Sequence, residues 1–332
     1  MMNKKEIFER MVSGQSVERT LFRPILMHFA ARFAGKSYGE FASDYRVLVK
    51  SNILAMEAID ADMVGLISDP YRETAAFGAK ISFPAEAVPR CETTIVNSIE
   101  DIKSLKNPDV YKNPRTHDRI RGAELFQREL KGEVPVIGWI EGPLAEACDL
   151  AGVSNMLLYL MVDPDFSNRL LDKCVKTARD FAEAQINAGC DIIGMGEAIC
   201  SQIDADTYNR FVKERQREII DFIHEKGAKV KLHICGNILH LLPSLADLPI
   251  DILDIDHMVD LQEAYEILGK DVIRCGNIDP VYVRDKTDQE IFKACEEILL
   301  KEKDRKFILS AGCEICVDTP LKNLQAMRDV RL

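Results

Sequence analysis

Short apolar runs alternate with longer amphipathic segments along most of the chain. Apolar runs bounded by Gly, Pro, Asn or Asp are typical of buried strands. The predicted strands span 25–30, 63–68, 134–140, 190–197, 229–237, 251–256, 271–275 and 307–309. Segments with apolar positions three and four residues apart follow these runs and predict helices. The predicted helices span 43–59, 144–161, 165–188, 238–248, 261–268 and 288–301, and a further helix begins at Asp204 or Asp206 and ends before Gly227.

Eight strands, each followed by a helix, most simply close into a (β/α)₈ TIM barrel. We therefore predict one domain over residues 1–332, with helical additions near the N-terminus. The additions are a surface helix at 5–11, a hairpin pairing 80–83 with 93–96, and a broken helical region at 98–131. No Gly-x-Gly-x-x-Gly follows the first predicted strand, which disfavours an open doubly wound sheet that binds a dinucleotide.

Composition narrows the classes of partner. The chain has 43 basic and 54 acidic residues and a net charge of −11, so its surface does not favour nucleic acid. No secretory signal and no apolar run of membrane-spanning length is evident, so we expect a cytoplasmic protein without membrane contacts. Ten cysteines without a disulfide framework are expected to be mostly reduced core thiols.

In a (β/α)₈ barrel the chemistry lies where the strands end, at the C-terminal mouth. Polar side chains follow all eight predicted strands. In strand order they are His28 and Arg32, Asp69, Glu141, Glu197, His233 and Cys235, Asp256 and His257, Asn277 and Asp279, and Cys313. Barrel closure would bring residues from distant strands into one pocket.

Three of these residues have the chemistry of zinc ligands. His233 and Cys235 are two positions apart in the predicted strand, so their side chains point to the same face. Cys313, at the end of the last predicted strand, supplies a third ligand. Three protein ligands leave one tetrahedral position open, which is typical of catalytic zinc.

The same residues lie in a context that resembles a known family. The sequence has His-Ile-Cys-Gly-Asn at 233–237, Gly-Asn-Ile-Asp-Pro at 276–280 and Ala-Gly-Cys-Glu-Ile at 311–315. These segments resemble the zinc-dependent corrinoid methyltransferases of the uroporphyrinogen decarboxylase superfamily, such as methylcobamide:coenzyme M methyltransferases. The resemblance extends from about Arg23 to the C-terminus, and the three ligand positions are its most specific part.

The resemblance implies a methyl transfer between a corrinoid and a small substrate at zinc held by His233, Cys235 and Cys313. The Asp-x-His-x-x-Gly element of cobalamin-binding domains is absent from the sequence, so the corrinoid is expected on a partner protein. That corrinoid-binding protein is expected to cover the loops that contain His28, Arg32, Asp69 and Tyr71. The methyl donor or acceptor stays open among coenzyme M, a methoxylated aromatic, methanol and a methylamine.

Other site residues have two interpretations each. Glu197 is predicted to be catalytic, as a fourth ligand or proton carrier, or else to pair with a barrel arginine. Asp69 matches the region of the decarboxylase's catalytic aspartate and is also a predicted catalytic residue. Asp256 and His257 either support the His233 ring or belong to a surface turn. Cys316 forms Cys-x-x-Cys with Cys313 and is expected to be a bystander.

Two alternatives from other classes stay open. The first is a metal-independent decarboxylase of the uroporphyrinogen decarboxylase type. That family has Arg-Gln-Ala-Gly-Arg after the first strand for the substrate's propionates, whereas this chain has His28-Phe-Ala-Ala-Arg32 and retains only the second arginine. The loss of a counter-charge argues against a highly anionic porphyrinogen. The second alternative is a non-catalytic module that binds a corrinoid protein.

Overall fold

The fold was taken from a computed structural model, which describes residues 2–330. Ten strands lie within that range, eight of them in one parallel sheet. The strands are β1 (Leu21–Phe22), β2 (Val64–Gly65), β3 (Ile81–Ser82), β4 (Arg90–Cys91), β5 (Val136–Glu141), β6 (Ile192–Gly196), β7 (Lys229–His233), β8 (Ile252–Ile255), β9 (Ile273–Ile278) and β10 (Phe307–Ala311). Strands β3 and β4 form a separate antiparallel pair.

Helices surround this sheet. In the first half of the chain they are α1 (Lys4–Val12), α2 (Met27–Phe33), α3 (Tyr38–Ser43), α4 (Tyr45–Ile59), α5 (Arg72–Ala76), α6 (Ile99–Ser104), α7 (Pro114–Leu130), α8 (Pro143–Ala151), α9 (Val153–Val162) and α10 (Pro164–Asn187). In the second half they are α11 (Ala205–Phe211), α12 (Lys213–Glu225), α13 (Leu242–Leu245), α14 (Leu261–Leu268), α15 (Pro280–Asp285), α16 (Asp288–Lys301) and α17 (Leu321–Asp329). Short 3₁₀ helices lie at Ala198–Gln202 and Leu239–Leu241. Within residues 2–330, no single helix has the length and apolarity to cross a membrane, and only α8 and α9 taken together, across a bend of 111°, meet those criteria.

The strand order is β1-β10-β9-β8-β7-β6-β5-β2, and all neighbours are parallel. The ends of this sheet approach each other at Asp62, just before β2. Its backbone N–H donates to the Phe22 carbonyl at 2.8 Å, and its carboxylate accepts the Phe22 N–H at 2.7 Å. Arg19 holds that carboxylate through two hydrogen bonds. The sheet therefore curls into the TIM barrel that the sequence predicted.

One end of the barrel is filled by apolar side chains. Inward residues of the strand starts form this layer, among them Leu21, Ile137, Ile192, Ile252, Ile273 and Ile308. Helix α1 covers the layer with Ile7, Phe8 and Met11, all at most 5% exposed. Because the N-terminal end of the barrel is closed in this way, the polar strand ends are left at the opposite mouth.

The structure corrects several predicted elements. The first strand is Leu21–Phe22, whereas residues 27–33 form helix α2. Pro24 lacks the N–H that a continued strand ladder needs, and Ile25 keeps only an isolated bridge to Glu314. The second hairpin strand is Arg90–Cys91, because residues 95–96 donate to the Leu150 carbonyl. Gly152, at φ +85°, divides the predicted helix 144–161 into α8 and α9.

Several helix boundaries were predicted closely. Helices α14 and α16 have the predicted bounds. Asp204 is the N-cap of α11, and Gly227 adopts φ +86° just after α12. The predicted helix 238–248 is shorter, as a 3₁₀ turn followed by α13.

Candidate metal centre at the barrel mouth

The three predicted ligands meet at the mouth of the barrel. His233 Nε2 lies 2.9 Å from Cys235 Sγ and 3.9 Å from Cys313 Sγ, and the two sulfurs are 3.6 Å apart. Strand β7 ends at His233, so Cys235 lies in the loop beyond it and not on the strand as predicted. Gly236, at φ +90°, turns the chain there. Among the His, Cys, Asp and Glu side chains of residues 2–330, this is the one group of three or more that could hold a metal ion, with donor atoms within 4.8 Å of one another.

The protonation states of the three side chains follow from the short contacts between them. The hydrogen bond from Cys235 lowers the pKa of Cys313 to about 4, and the same contact raises the pKa of Cys235. Burial alone would lower the pKa of His233, but hydrogen bonds with Asp254 and Cys313 raise it to about 9. At neutral pH the cluster thus pairs a thiolate with an imidazolium and a thiol. A metal ion would take the place of the protons on His233 and Cys235.

The donor set and its spacing fit a zinc ion. Around tetrahedral zinc the ligand atoms lie about 3.5–3.8 Å apart, given bond lengths near 2.0–2.3 Å. The observed separations of 2.9, 3.6 and 3.9 Å bracket that range. Imidazole and thiolate are the ligands that zinc prefers, and His233 is buried while both cysteines are partly accessible. A fourth ligand can therefore reach the site from the mouth.

Asp254 orients the histidine. Its carboxylate lies 2.7 Å from His233 Nδ1 and also pairs with the buried Lys231 ammonium. Although burial alone would raise it, Lys231 and His233 hold the pKa of Asp254 well below its usual range. A carboxylate on Nδ1 fixes the tautomer that leaves Nε2 free for a metal. Asp254 was not among the predicted site residues, although its spacing from Ile252 in an apolar strand places it on the inward face.

Asp256 and His257 do not hold the His233 ring. Asp256 accepts the Gly236 N–H at 3.0 Å and lies 2.8 Å from His257 Nδ1. These contacts brace the loop that holds Cys235. Of the two interpretations, support of the His233 ring is wrong for this pair: Asp254 on β8 contacts the ring, whereas Asp256 follows the end of the strand and binds the Gly236 loop.

Trp139 and Glu141 form the wall of the mouth next to the cluster. The indole ring of Trp139 lies 6.0 Å from the imidazole of His233, measured between centroids. Gly194 and Gly196 on β6 make room for it, since a methyl group on either would lie 2.3 to 3.2 Å from ring atoms of Trp139. The Trp139 N–H donates to Glu141 Oε1 at 3.0 Å. An aromatic face and a carboxyl group thus border the same space as the predicted ligands.

Glu197 is placed away from the cluster. One carboxylate oxygen accepts the Ala145 N–H at 2.9 Å and the other the Leu144 N–H at 3.3 Å, at the start of α8. Burial raises the pKa of Glu197 to about 7. Gln216 donates to it as well. These contacts support a structural role in which a carboxylate caps a helix N-terminus, and the catalytic role stays a prediction.

Asp69 is buried beside three arginines. Arg115 donates to both carboxylate oxygens at 2.8 and 2.7 Å, and Ser68 donates to one of them at 2.5 Å. Against the effect of burial, Arg115, Arg72 and Arg119 hold the pKa of Asp69 well below its usual range. Its carboxylate is fully engaged within the protein and does not line the mouth as predicted. A catalytic role for Asp69 stays a prediction.

The remaining predicted residues have separate places. Arg32 is exposed and pairs with Asp318. The backbone N–H of His28 donates to the carboxylate of Glu314, next to Cys313, at 2.9 Å. Tyr71 is half-buried and Cys316 partly exposed. The other two stabilise local structure: Asn277 donates to the Val259 carbonyl, and Asp279 caps α15.

The fold and this site define a (β/α)₈-barrel protein with an imidazole and two thiols at its catalytic end. A sequence model of the uroporphyrinogen decarboxylase (URO-D) family matches residues 3–331, and the chain belongs to that family of enzymes.

Two branches of the family appear among its similar proteins. Methylcobamide:CoM methyltransferase MtaA of Methanosarcina barkeri is 25% identical over 222 residues, or 66% of this chain. The match spans 64% of MtaA, slightly less than two thirds of its length. MtbA of Methanosarcina mazei, also a methylcobamide:CoM methyltransferase, is 28% identical over 70% of this chain and 68% of its own. A uroporphyrinogen decarboxylase of Prochlorococcus marinus is 24% identical over 87% of this chain and 84% of its own.

Solved structures agree with the barrel. A methyltransferase from Methanosarcina mazei superposes with a TM-score of 0.90 at 20% identity and covers 99% of both chains. A B12-independent methionine synthase from Shewanella sp. W3-18-1 has a TM-score of 0.58 at 15% identity, with 85% of this chain and 86% of that chain covered. At these identities the similarity establishes the fold.

Proposed function

We propose that this protein is a zinc-dependent methyltransferase that moves a methyl group between a corrinoid and a small substrate. The observation that carries the proposal is the convergence of His233, Cys235 and Cys313 donor atoms within 4.8 Å at the barrel mouth. A metal-independent decarboxylase has no use for this donor set. Similarity to the MtaA and MtbA methyltransferases supports the same branch of the family.

Each residue of the centre has a distinct task in this proposal. His233, Cys235 and Cys313 hold the ion, and Asp254 keeps the imidazole oriented through its Nδ1 contact. Zinc bound there supplies Lewis acidity to a substrate heteroatom in its open position. Trp139 excludes water from one side of that position, since the residue is 2% exposed and its ring lies beside His233.

The corrinoid is proposed to come from a separate corrinoid-binding protein that docks over the mouth. In this proposal the methylated or reduced cobalt approaches the mouth from that partner. Two of the similar proteins are named for methylcobamide as substrate, which supports this arrangement. A small methyl donor or acceptor occupies the space between the docked partner and the metal centre.

The first test measures metal content and methyl transfer together. We expect about one zinc per chain, and Cys313→Ala should lose both the zinc and the transfer while the barrel stays folded. Cys316→Ala is the matched control, since its thiol is not part of the cluster. Chelation should stop the spectral change of the corrinoid, and added zinc should restore it.

Two results would contradict the proposed function. Full zinc retention and full activity in Cys313→Ala would contradict the metal centre. If the chelated protein decarboxylates uroporphyrinogen while no methyl donor or acceptor changes the cobalt spectrum, the decarboxylase function takes the place of this proposal.

A further inference from the structure

Glu141 has one oxygen fixed by the protein and one facing the mouth. Oε1 accepts hydrogen bonds from Trp139 Nε1 and Arg72 Nη2, both at 3.0 Å. Oε2 has no hydrogen-bond partner within residues 2–330. A methyl group on Gly196 would lie 2.9 Å from Oε2, so this oxygen points across the glycine. Glu141 is 7% exposed, which leaves it a narrow opening to the mouth.

The sheet register places this oxygen opposite the metal centre. Gly196 on β6 pairs with Glu141 on one side and with His233 on the other. Neighbouring strands are about 4.8 Å apart, so the two side chains face each other across one strand. Since Gly196 has no side chain, Glu141 Oε2 and the Trp139 ring occupy the space over it, 2.9 and 3.2 Å from where a Cβ would lie. Oε2 and the indole therefore border the metal centre on the β5 side, where they would meet a substrate atom bound in its open position.

The surroundings of Glu141 suit a group that gives up a proton. Burial raises the pKa of Glu141 well above its usual range, and the nearby Glu73 and Asp149 carboxyls raise it further. Arg72 acts in the opposite direction and lies 3.0 Å from Oε1. Because Oε1 already accepts from Arg72 and Trp139, a proton on this carboxyl would lie on Oε2, and the carboxylate left after its loss would keep both donors in place. Such prearranged donors stabilise the charge that develops.

We propose that Glu141 is the proton donor to the leaving oxygen of an O-methylated substrate, a methyl ether or methanol. This inference rests on the proposed function and names its substrate class. The bond between the methyl carbon and oxygen breaks, and its electron pair stays on the oxygen, which takes the Oε2 proton. The methyl group bonds to the electron pair of a reduced Co(I) corrinoid. The products are an alcohol or phenol, a methyl-Co(III) corrinoid and the Glu141 carboxylate.

The proposal favours the demethylating direction with oxygen donors. An alkoxide or phenoxide is a poor leaving group unless it is protonated or bound to a Lewis acid, so an acid on the far side of the reacting oxygen assists its departure. A thiol acceptor has the opposite need, because it must lose a proton before it is methylated. A protonated carboxyl beside the site does not accept that proton.

The test compares leaving groups, with Co(I) cobalamin as methyl acceptor and methoxybenzenes as donors. Ring substituents change the basicity of the phenol that leaves. In wild type the rate should depend weakly on that basicity, because the oxygen is protonated as it departs. Glu141→Gln keeps the acceptor for Arg72 and Trp139 but has no acidic proton. Its rate with the most basic leaving group should fall roughly 10²–10⁴-fold, and its dependence on basicity should steepen.

Three further measurements separate this role from a structural one. Glu141→Asp, which keeps an acidic proton, should retain the weak dependence on leaving-group basicity. Asp318→Asn removes an exposed acid from the loop after β10 and should behave as wild type. Infrared difference spectra of wild type against Glu141→Gln should contain the carbonyl band of a protonated carboxylic acid.

The results of these assays separate failure of the Glu141 role from failure of the proposed methyltransferase function. If the zinc-loaded wild type methylates a thiol from methylcobalamin but demethylates neither a methoxybenzene nor methanol, the inference is wrong and the proposed function stands. Equal leaving-group dependence in wild type and Glu141→Gln also overturns the inference. If the wild type transfers methyl groups in neither direction, both fall.

Discussion

At the residue scale, the orientation of His233 depends on two buried side chains, Asp254 and Lys231. The Nδ1–H of His233 donates to the Asp254 carboxylate, and Asp254 in turn pairs with the Lys231 ammonium. A buried carboxylate without that lysine would be costly, because an unpaired charge in the interior is strongly destabilising. The chain therefore places a buried ion pair beneath the mouth, where it orients one ligand.

The first residue-scale prediction concerns this orientation. Asp254→Asn should reduce zinc affinity about 10–100-fold, since loss of the carboxylate partner lowers the basicity of the imidazole and frees its ring. Competition with a chromophoric chelator measures this. Asp285→Asn, an exposed acid on α15, is the control and should bind zinc as wild type does. Unchanged affinity in Asp254→Asn would contradict the assigned role.

The second residue-scale prediction concerns pH and stability. The pKa of Glu197 is raised by burial from 4.5 to about 7. Between these values the unfolded chain releases a proton that the folded protein retains, so the free energy of unfolding falls as pH rises through this window. Glu197→Gln lacks that titration. The wild type loses this stability as pH rises and the variant does not. The free energy of unfolding of the variant minus that of wild type should therefore be roughly 2–3 kcal/mol larger at about pH 8 than at about pH 5.

Urea denaturation of both proteins at the two pH values measures this difference. A constant difference would show that Glu197 titrates normally. Activity assays of the same variant also test the catalytic role predicted from the sequence. Full activity in Glu197→Gln would leave only the helix-capping role.

At the scale of elements, α1 is part of the barrel core and not only a surface helix. An Asn3 capping box starts the helix, and its buried face meets the inward isoleucines of the strand starts. The sequence predicted this helix on the surface because its polar positions dominate. The burial of its apolar stripe required the open end of the barrel as a partner.

The element-scale prediction tests this packing. Phe8→Ala should lower the free energy of unfolding by about 3–5 kcal/mol, because it leaves a cavity in a closed apolar layer. Glu9→Ala, on the exposed face of the same helix, should change it by about 0.5 kcal/mol or less. Denaturant titration compares the two. Equal effects of the two variants would show that α1 does not seal the barrel.

At the scale of the whole molecule, the two ends of the barrel have different tasks. The N-terminal end is sealed by α1, and the opposite mouth holds the metal-type cluster. A corrinoid-binding partner is therefore predicted to slow hydrogen exchange in mouth loops near His28, Arg32 and Tyr71, and to leave α1 unchanged. Asp69 is not part of this prediction, since its side chain is buried against Arg115. Protection confined to α1 would contradict the docking model.

The sequence by itself predicted the barrel and the meeting of His233, Cys235 and Cys313 at its mouth. Hydrophobic periodicity is a local property, and eight repeats of strand and helix in one chain leave few closed arrangements. His233 and Cys235 are two positions apart near the end of one predicted strand, and Cys313 follows the last predicted strand. Closure of the barrel brings these strand ends to the same mouth. These conclusions hold even though strand ends were predicted inaccurately, as at β1 and β7.

Only the tertiary structure decided which polar groups serve the site. Asp254 and not Asp256 meets His233, Asp69 is neutralised by Arg115, and Glu197 caps α8. Each of these partners comes from an element distant in the sequence, so which partner a carboxylate meets depends on where its strand ends and on how the elements pack. The sequence specifies the residue types, whereas register and packing between distant elements select their partners.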